Sequence, residues 1–366
     1  MDLLEQARRE INEVDREMAE LFVRRMRASE QVAAYKQEMG LPVLDPIREA
    51  QVIRKNSECL EDDVLREYYM NFLKNTMSIS RSYQHRILEG MRVAYCGTEG
   101  AFAHIATGKL FPTAEKVPFH DFADAYRSVE AGECDVAVLP LENSYNGEVG
   151  QVTDLMFSGS LYVNEILELA VTQDLLTVPG AKTSDIQRVL SHPQALGQCA
   201  EYIRSQGWEP VEYSNTALAA KFVAEQGDPS LAAIASEEAA AIFGLTVKAR
   251  NINASRSNTT RFAVFSRSEN RRAKGSMGEH FILTFTVKNE AGALARAIDV
   301  IGQHGFNMRC LRSRPMKELL WEYYFYVEAE GCVHSPAGED MMQALEAFCD
   351  RLKMVGTYSK TGGARA

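Results

Sequence analysis

Three groups of residues have the types and spacing to do chemistry. The first begins in "LFVRRMRASEQVAAYK" (21–36), whose apolar residues Leu21, Ala28, Val32 and Tyr35 keep helical spacing. Leu4, Ala7, Ile11, Val14 and Met18 extend the same seam backward. Arg25 sits on that seam and Lys36 lies close by, so the helix is expected to turn two cations toward its own core. At about 100° and 1.5 Å per residue, Arg25, Ser29, Val32 and Lys36 share one narrow stripe over about three turns. "DPIRE" adds Asp45, Arg48 and Glu49, and Ser80 and Gln84 lie one turn apart on a later helix. Taken singly these are surface charges, or for Asp45 an N-cap. Taken together they are cations without enough matching carboxylates, and a buried cation needs an anion. A dianionic small ligand fits. Arg8 stands about 25 Å before Arg25 along the axis and about 100° around it. From one helix the two cannot hold the same small ligand, so a functional Arg8 would complete a site on another subunit.

The second group lies at strand ends. "PLENSYNG" (140–147) offers Glu142, Asn143 and Ser144. "SHPQALGQC" (191–199) offers Ser191, His192 and Gln194, with Pro193 opening a helix whose free N–H groups suit an anion. "NTTRF" (258–262) offers Asn258, Thr260 and Arg261. Each alone reads as a turn or cap, yet all three fall at the loop edges where open α/β sheets bind ligands. The third group is "NEAGALARAIDVIGQHGFNM" followed by "LRSRP". There the N–H groups of Gly292, Ala293 and Leu294 open a helix, beside Asn289, Ser313 and Arg314.

The elements that must position these groups have three textures. Residues 1–89 read as all helical. The first helix runs to about Met39 and stops at Gly40-Leu41-Pro42, Asp45-Pro46 opens the second, and the third runs from Asp62-Asp63 to about Leu88. Residues 90–267 alternate helices with short apolar strands: "RVAYC", "DVAVLP", "YVNEIL", "QRVLS", "PVEY", "LAAIA" and "RFAVFS". That is an α/β pattern. A polar segment over 268–278 reads as a linker. Residues 279–366 alternate as "HFILTFTV" and "WEYYFYVEA", with helices expected after Gly292 and Gly338, which suggests a small α+β unit of βαββαβ order.

Composition narrows the function. Among 366 residues, 50 are acidic and 40 basic, for a net charge of −10. This argues against nucleic acid or an anionic membrane as partner. No apolar run reaches spanning length, and the chain starts with a charged amphipathic helix rather than a signal peptide. Seven scattered cysteines without C-x-x-C pairing or metal spacing read as reduced thiols of a cytoplasmic protein. "GTEGAF" lacks the spacing of a dinucleotide-binding loop. Neither metal nor cofactor is expected.

Residues 1–89 resemble the all-helical chorismate mutases, which are intertwined dimers, through "ARREINEVD", "VRRM", Lys36, "DPIRE" and "SRSYQ". The resemblance implies that Arg8 of a partner chain, Arg25 and Arg48 clamp the carboxylates of chorismate. Lys36 and Gln84 would bond the ether oxygen of the breaking bond, Glu49 and Asp45 would hold the hydroxyl side, and Ser80 would assist. Residues 90–267 resemble prephenate dehydratases through "GTEGAF", "NTALAA", "AAIASEEAA" and "TRF". That implies two α/β lobes similar to periplasmic binding proteins, with the site in the cleft. Thr260 would be the catalytic residue, donating or relaying a proton or orienting the substrate. Glu142, Asn143, Ser144 and Gln194 would line the cleft, with Ser191, His192, Asn258 and Arg261 nearby. Ala101 and Ala103 stand where the family often has hydroxyl residues. The C-terminal unit resembles the ACT regulatory domain, with Ala291 and Arg312 in place of the usual Pro and Glu. By that resemblance Asn289, Gly292, Ala293, Leu294, Ser313 and Arg314 would bind phenylalanine between paired domains.

The sequence thus reads as a bifunctional enzyme making phenylpyruvate from chorismate under phenylalanine control. It would act as a homodimer or higher homo-oligomer. Two alternatives stay open: an arogenate-preferring dehydratase, and a non-catalytic amino-acid-sensing or solute-binding protein.

Overall fold

The structure is a computed structural model that describes residues 3–253, 258–269, 279–317 and 319–359. Most of the expected linker, residues 270–278, lies outside the described residues. The chain divides into two compact units, Met1–Arg92 and Val93–Ala366.

The first unit contains three helices, α1 (Leu3–Glu38), α2 (Pro46–Ser57) and α3 (Asp63–Glu89). Local chemistry sets their ends. Asp45 accepts the Arg48 N–H at 2.9 Å with Pro46 at the first helical position, and Asp62 accepts the N–H groups of Val64 and Leu65. Met26 and Ala33 of α1 are buried, as are Thr76, Met77, Ser80 and Gln84 of α3. Neither Met26 nor Ala33 lies on the apolar seam read from the sequence, and that seam departs from expectation. Leu4, Ile11, Val14, Met18, Leu21, Val32 and Tyr35 are exposed, so the seam is not the core of this unit. Its period is helical, but α2 and α3 are too short to cover a helix about 54 Å long.

The second unit carries, in order, β1 (Arg92–Cys96), α4 (Phe102–Leu110), β2 (Glu115–Phe119), α5 (Phe122–Glu130), β3 (Val136–Asn143), β4 (Gly147–Glu148), α6 (Gly150–Ser158) and β5 (Tyr162–Ala170). There follow β6 (Asp174–Thr177), β7 (Arg188–Ser191), α7 (Pro193–Gln198), α8 (Ala200–Gln206), β8 (Glu209–Glu212), α9 (Thr216–Gln226), β9 (Leu231–Ala235), α10 (Glu237–Phe243), β10 (Thr246–Ala249) and β11 (Thr259–Ser266). The last part is β12 (Glu279–Thr286), α11 (Ala293–Gln303), β13 (Asn307–Pro315), β14 (Tyr323–Glu330), α12 (Pro336–Glu346) and β15 (Arg351–Ser359). This is the βαββαβ order read from the sequence. The seven expected strands of the α/β part are present. β2, β4, β6 and β10 were not foreseen: three have only two to four residues, and β2 is an edge strand interrupted by Pro118.

The strands form two sheets. One runs β10-β6-β9-β7-β8; the other runs β13-β14-β12-β15-β5-β11-β3-β1-β2, with β4 on β3. The chain crosses between the sheets after β5 and returns before β11, which makes two lobes with a cleft between them. The larger sheet is continuous through β15 and β5, which run parallel with Gly356 beside Val163. A Cβ at Gly356 would lie 2.0 Å from the Val163 carbonyl oxygen, so only glycine allows that approach. Gly338, expected just ahead of a helix, instead lies inside α12, which Ser335 caps. A Cβ there would meet the Val333 carbonyl oxygen at 2.2 Å, so this glycine marks close packing rather than a helix start.

Candidate active sites

In the helical unit, Arg25 and Ser80 meet across α1 and α3. The Arg25 guanidinium donates to the Ser80 hydroxyl and, at 3.4 Å, to the Thr76 carbonyl. Burial lowers the Arg25 pKa, a sign that its charge sits partly out of water with no carboxylate in return. Gln84, one turn beyond Ser80, is buried, and its Oε1 has no hydrogen-bond partner among the described residues. Lys36 is half-buried and donates to the Val43 carbonyl at 2.5 Å, leaving two ammonium protons for another acceptor. Glu49 pairs with Arg81 of α3, a residue the sequence reading did not single out. Asp45 is engaged in its cap, and Arg8 and Arg48 are exposed. One chain therefore gathers Arg25, Ser80 and Gln84, and leaves Arg8 far along the same helix.

The cleft of the second unit has a volume of about 500 Å³ and is lined by Asn143, His192, Gln194, Asn258 and Thr260. Thr260 is register partner of Asn143, whose Nδ2 donates to Thr260 Oγ1 at 2.9 Å and to Asn258 Oδ1 at 2.7 Å. Asn143 Oδ1 accepts the N–H groups of Tyr145 and Asn146 at 3.0 and 2.9 Å, which fixes the amide with its NH₂ toward Thr260. The Thr260 oxygen thus accepts from Asn143, and its own proton has no acceptor among the described residues. It faces the cleft as a donor. Ser144 serves the same corner: its hydroxyl accepts the Thr259 N–H at 3.0 Å, and its own N–H donates to the Thr259 carbonyl at 2.8 Å.

Further lining residues were missed: Asn146, Glu148, Gln173, Gln198, Asn215 and Thr216. Gln198 accepts from Asn258 Nδ2 at 3.1 Å. Its spacing of four from Gln194 was a legible signal, since α7 presents both on one face. Gln173 carried no such signal in its short polar crossover. Among the described lining residues none is lysine or arginine.

Four expected cleft residues do not line it: Ser144, which is tied to Thr259 instead, Ser191, Arg261 and Glu142. Ser191 is fully buried and donates to the Ile234 carbonyl at 2.6 Å, holding β7 to β9. Arg261 and Glu142 follow and precede cleft residues in their strands, and side chains alternate along a strand, so both point to the opposite face. There Arg261 meets Glu328 of β14 in a two-pronged pair at 2.7 and 3.0 Å, with Glu142 at 3.4 Å and the Tyr358 hydroxyl at 2.9 Å. Burial would raise the Glu328 pKa, but the Arg261 hydrogen bonds and charge, with the Tyr358 and Tyr326 hydroxyls, hold it below the usual range. Of the opening expected to offer N–H groups to an anion, α7 has only six residues, and the Gln194 N–H is already taken by His192 Nδ1 at 3.3 Å.

In the C-terminal part, Gly292 caps α11, Asn289 and Ser313 are exposed, Ala293 is buried and Leu294 packs into the local core. Arg314 is not open to an effector. It donates to Asp154 at 2.8 and 3.2 Å and to Glu148 at 2.5 Å. Arg312, two residues earlier on the same strand face, pairs with Glu142 and reaches Glu148 at 3.8 Å. The two arginines therefore hold the strand pair that carries Asn143.

Comparison with known proteins decides the family. A profile described as chorismate mutase type II matches residues 7–85, and one described as prephenate dehydratase matches residues 93–270. A bifunctional chorismate mutase/prephenate dehydratase of Neisseria gonorrhoeae is 30% identical over 98% of this chain and 97% of its own length. The chain belongs to the bifunctional chorismate mutase/prephenate dehydratases. It is an enzyme of phenylalanine biosynthesis with both activities, acting on small-molecule substrates, and its parts are the helical mutase, the two-lobed dehydratase and the ACT-like C-terminal unit. An arogenate dehydratase/prephenate dehydratase of Arabidopsis thaliana is 34% identical over 73% of this chain and 72% of its own length. The structure of a prephenate dehydratase from Arthrobacter aurescens in complex with L-Phe has a TM-score of 0.68 and 27% identity, covering 75% of this chain and 92% of that one. Among the described residues, no helix is long and apolar enough to cross a membrane.

Proposed function

We propose that the two reactions run in separate sites of a cytoplasmic homodimer, one in the helical domain over 1–89 and one in the cleft of the domain over 90–267. In this reading residues 268–278 link the second domain to a regulatory domain over 279–366. The mutase site takes Arg25, Lys36, Ser80, Gln84, Arg48, Asp45 and Glu49 from one chain and Arg8 from its partner. The exposed apolar seam of α1 supports the partner: a helix this long with one uncovered apolar stripe calls for a second copy. The rearrangement needs no nucleophile. It needs a compact conformer and positive charge or donors at the ether oxygen as the C–O bond breaks, which Lys36 and the Gln84 amide can supply.

For the dehydratase, the observation that carries the reading is the Asn143–Thr260 pair. Asn143 occupies the threonine oxygen and leaves its proton to donate to a leaving hydroxyl. Among the described lining residues no lysine or arginine pins a carboxylate, which suits loss of carbon dioxide. Asn143, His192, Gln194 and Asn258 then position the substrate by hydrogen bonds. The regulatory reading rests on the phenylalanine complex of the Arthrobacter aurescens dehydratase. Phenylalanine would bind between two chains beside Asn289, the Gly292–Leu294 helix start and Ser313.

The test is incubation of the purified chain with chorismate while prephenate and phenylpyruvate are followed. Wild type should form both in turn, and Thr260→Ala should accumulate prephenate with the mutase rate unchanged. No turnover would favour a sensing or solute-binding protein instead. The Arabidopsis relative favours one second reading, a preference for arogenate, which direct comparison of the two substrates decides.

A further inference from the structure

Gln173 lies in the crossover from β5 to β6, three residues beyond Ala170, the register partner of Thr259. Its backbone is pinned. The N–H donates to Asn253 Oδ1 at 3.2 Å and the carbonyl accepts the Ile252 N–H at 2.9 Å. The side chain lines the same cleft as Thr260, is only 3% exposed, and its Oε1 has no hydrogen-bond partner among the described residues. Two neighbours in that wall are paired, Asn143 with Thr260 and Asn258, and Asn258 with Gln198, while the other buried oxygen of the lining without a hydrogen bond, Glu148 Oε2, faces the Arg312 cation at 3.8 Å. A buried carbonyl oxygen left unpaired is unfavourable, and a ligand that brings a donor relieves it.

The reaction assigned to the cleft limits what that donor can be. Near neutral pH prephenate presents two carboxylates and a keto oxygen, all acceptors. Its single O–H is the ring hydroxyl that leaves. We propose that Gln173 Oε1 accepts the hydrogen bond of that hydroxyl, so that the oxygen lone pair is turned toward the Thr260 proton. The inference rests on the dehydratase reading above. In the step, the ring carbon–carboxylate bond breaks and its electron pair enters the ring. The ring C–O bond breaks with its pair leaving on oxygen, and one proton joins that oxygen to give water. Prephenate dianion and one proton yield phenylpyruvate anion, carbon dioxide and water. Solvent returns the proton to Thr260. Gln173 moves no proton; it orients the leaving group.

The experiment uses the full chain with Gln173→Met, close in size but without the carbonyl, and Gln173→Glu, which keeps an acceptor. Both are assayed on prephenate and on arogenate, with mutase activity reporting the folded chain. Gln173→Met should lower the dehydratase kcat roughly ten- to a hundredfold on both substrates, with KM within about threefold, the worth of one hydrogen bond made to a reacting group. Gln173→Glu should keep kcat within about fivefold of wild type while raising KM, because its charge repels a dianion but its oxygen still accepts. Wild-type kcat in Gln173→Met overturns the proposal. So does a loss confined to arogenate, which would mean the oxygen serves an ammonium, and so does an equal loss of kcat in Gln173→Glu, which also decides the matter should the Met variant not fold. If the wild type itself forms no phenylpyruvate from prephenate, the dehydratase reading has failed rather than the role of Gln173.

Discussion

Replacing Arg261 by methionine separates two roles that its place in "NTTRF" leaves mixed. If Arg261 holds substrate, the variant should raise the KM for prephenate and keep its stability. The structure argues for the other outcome. The guanidinium makes a two-pronged pair with Glu328, whose side chain is 5% exposed, and loss of one member leaves a buried carboxylate without its cation. Such deletions cost roughly 3–5 kcal/mol. The hydroxyls of Tyr358 and Tyr326 still donate to Glu328, which points to the lower end, about 3 kcal/mol. The pH dependence carries a second sign. In the wild type the Glu328 pKa is depressed, so its contribution is present above the unfolded carboxylate pKa and is lost as pH falls through the folded one. In Arg261→Met the guanidinium is gone, burial is opposed only by the two tyrosine hydroxyls, and that pKa rises. The stability tied to it is then present below the unfolded pKa and lost as pH rises through the folded value. Urea unfolding at several pH values from about 4 to 8 should show a gap between wild type and variant that is widest near pH 8 and narrows toward pH 4. A gap constant with pH, or an unchanged midpoint with a raised KM, would refute the ion-pair argument.

Mixing inactive Arg8→Ala and Arg48→Ala chains, with subunit exchange checked by mass spectrometry, should restore some mutase activity through mixed dimers; no recovery would put Arg8 outside the site. Mutase activity should vary little between mildly acidic and mildly alkaline pH, since Gln84 does not titrate and Arg25, though its pKa is lowered by burial, stays charged there, so a sharp bell near neutrality would point to an essential titrating group. Gly356→Val should part β15 from β5, seen as faster amide exchange in both strands and a lower urea midpoint, with the mutase rate retained. Arg312→Ala should loosen the Glu142 contact behind the cleft strand and change the phenylalanine response of the dehydratase by more than its basal kcat; equal inhibition curves for wild type and variant would deny that contact a regulatory role.

The chain reports its own local structure well. Capping residues such as Asp45 and Asp62, the apolar runs of the strands and the βαββαβ order act over a few residues, and these were legible. So were the short motifs that name Asn143, His192, Gln194, Asn258 and Thr260, which the fold brings to one cleft. What the sequence left open depends on which face meets what. Thr260 and Arg261 are adjacent in one motif and look equally functional. Strand alternation sends them to opposite faces, and only the packing of β14 and β15 against one face makes Arg261 a buried partner of Glu328. The seam of α1 has a clear helical period, but period says nothing of what covers it. Gln173 lies in a short polar crossover with no periodic signal. Its importance arises only because two lobes close around it and leave its carbonyl oxygen without a donor among the described residues.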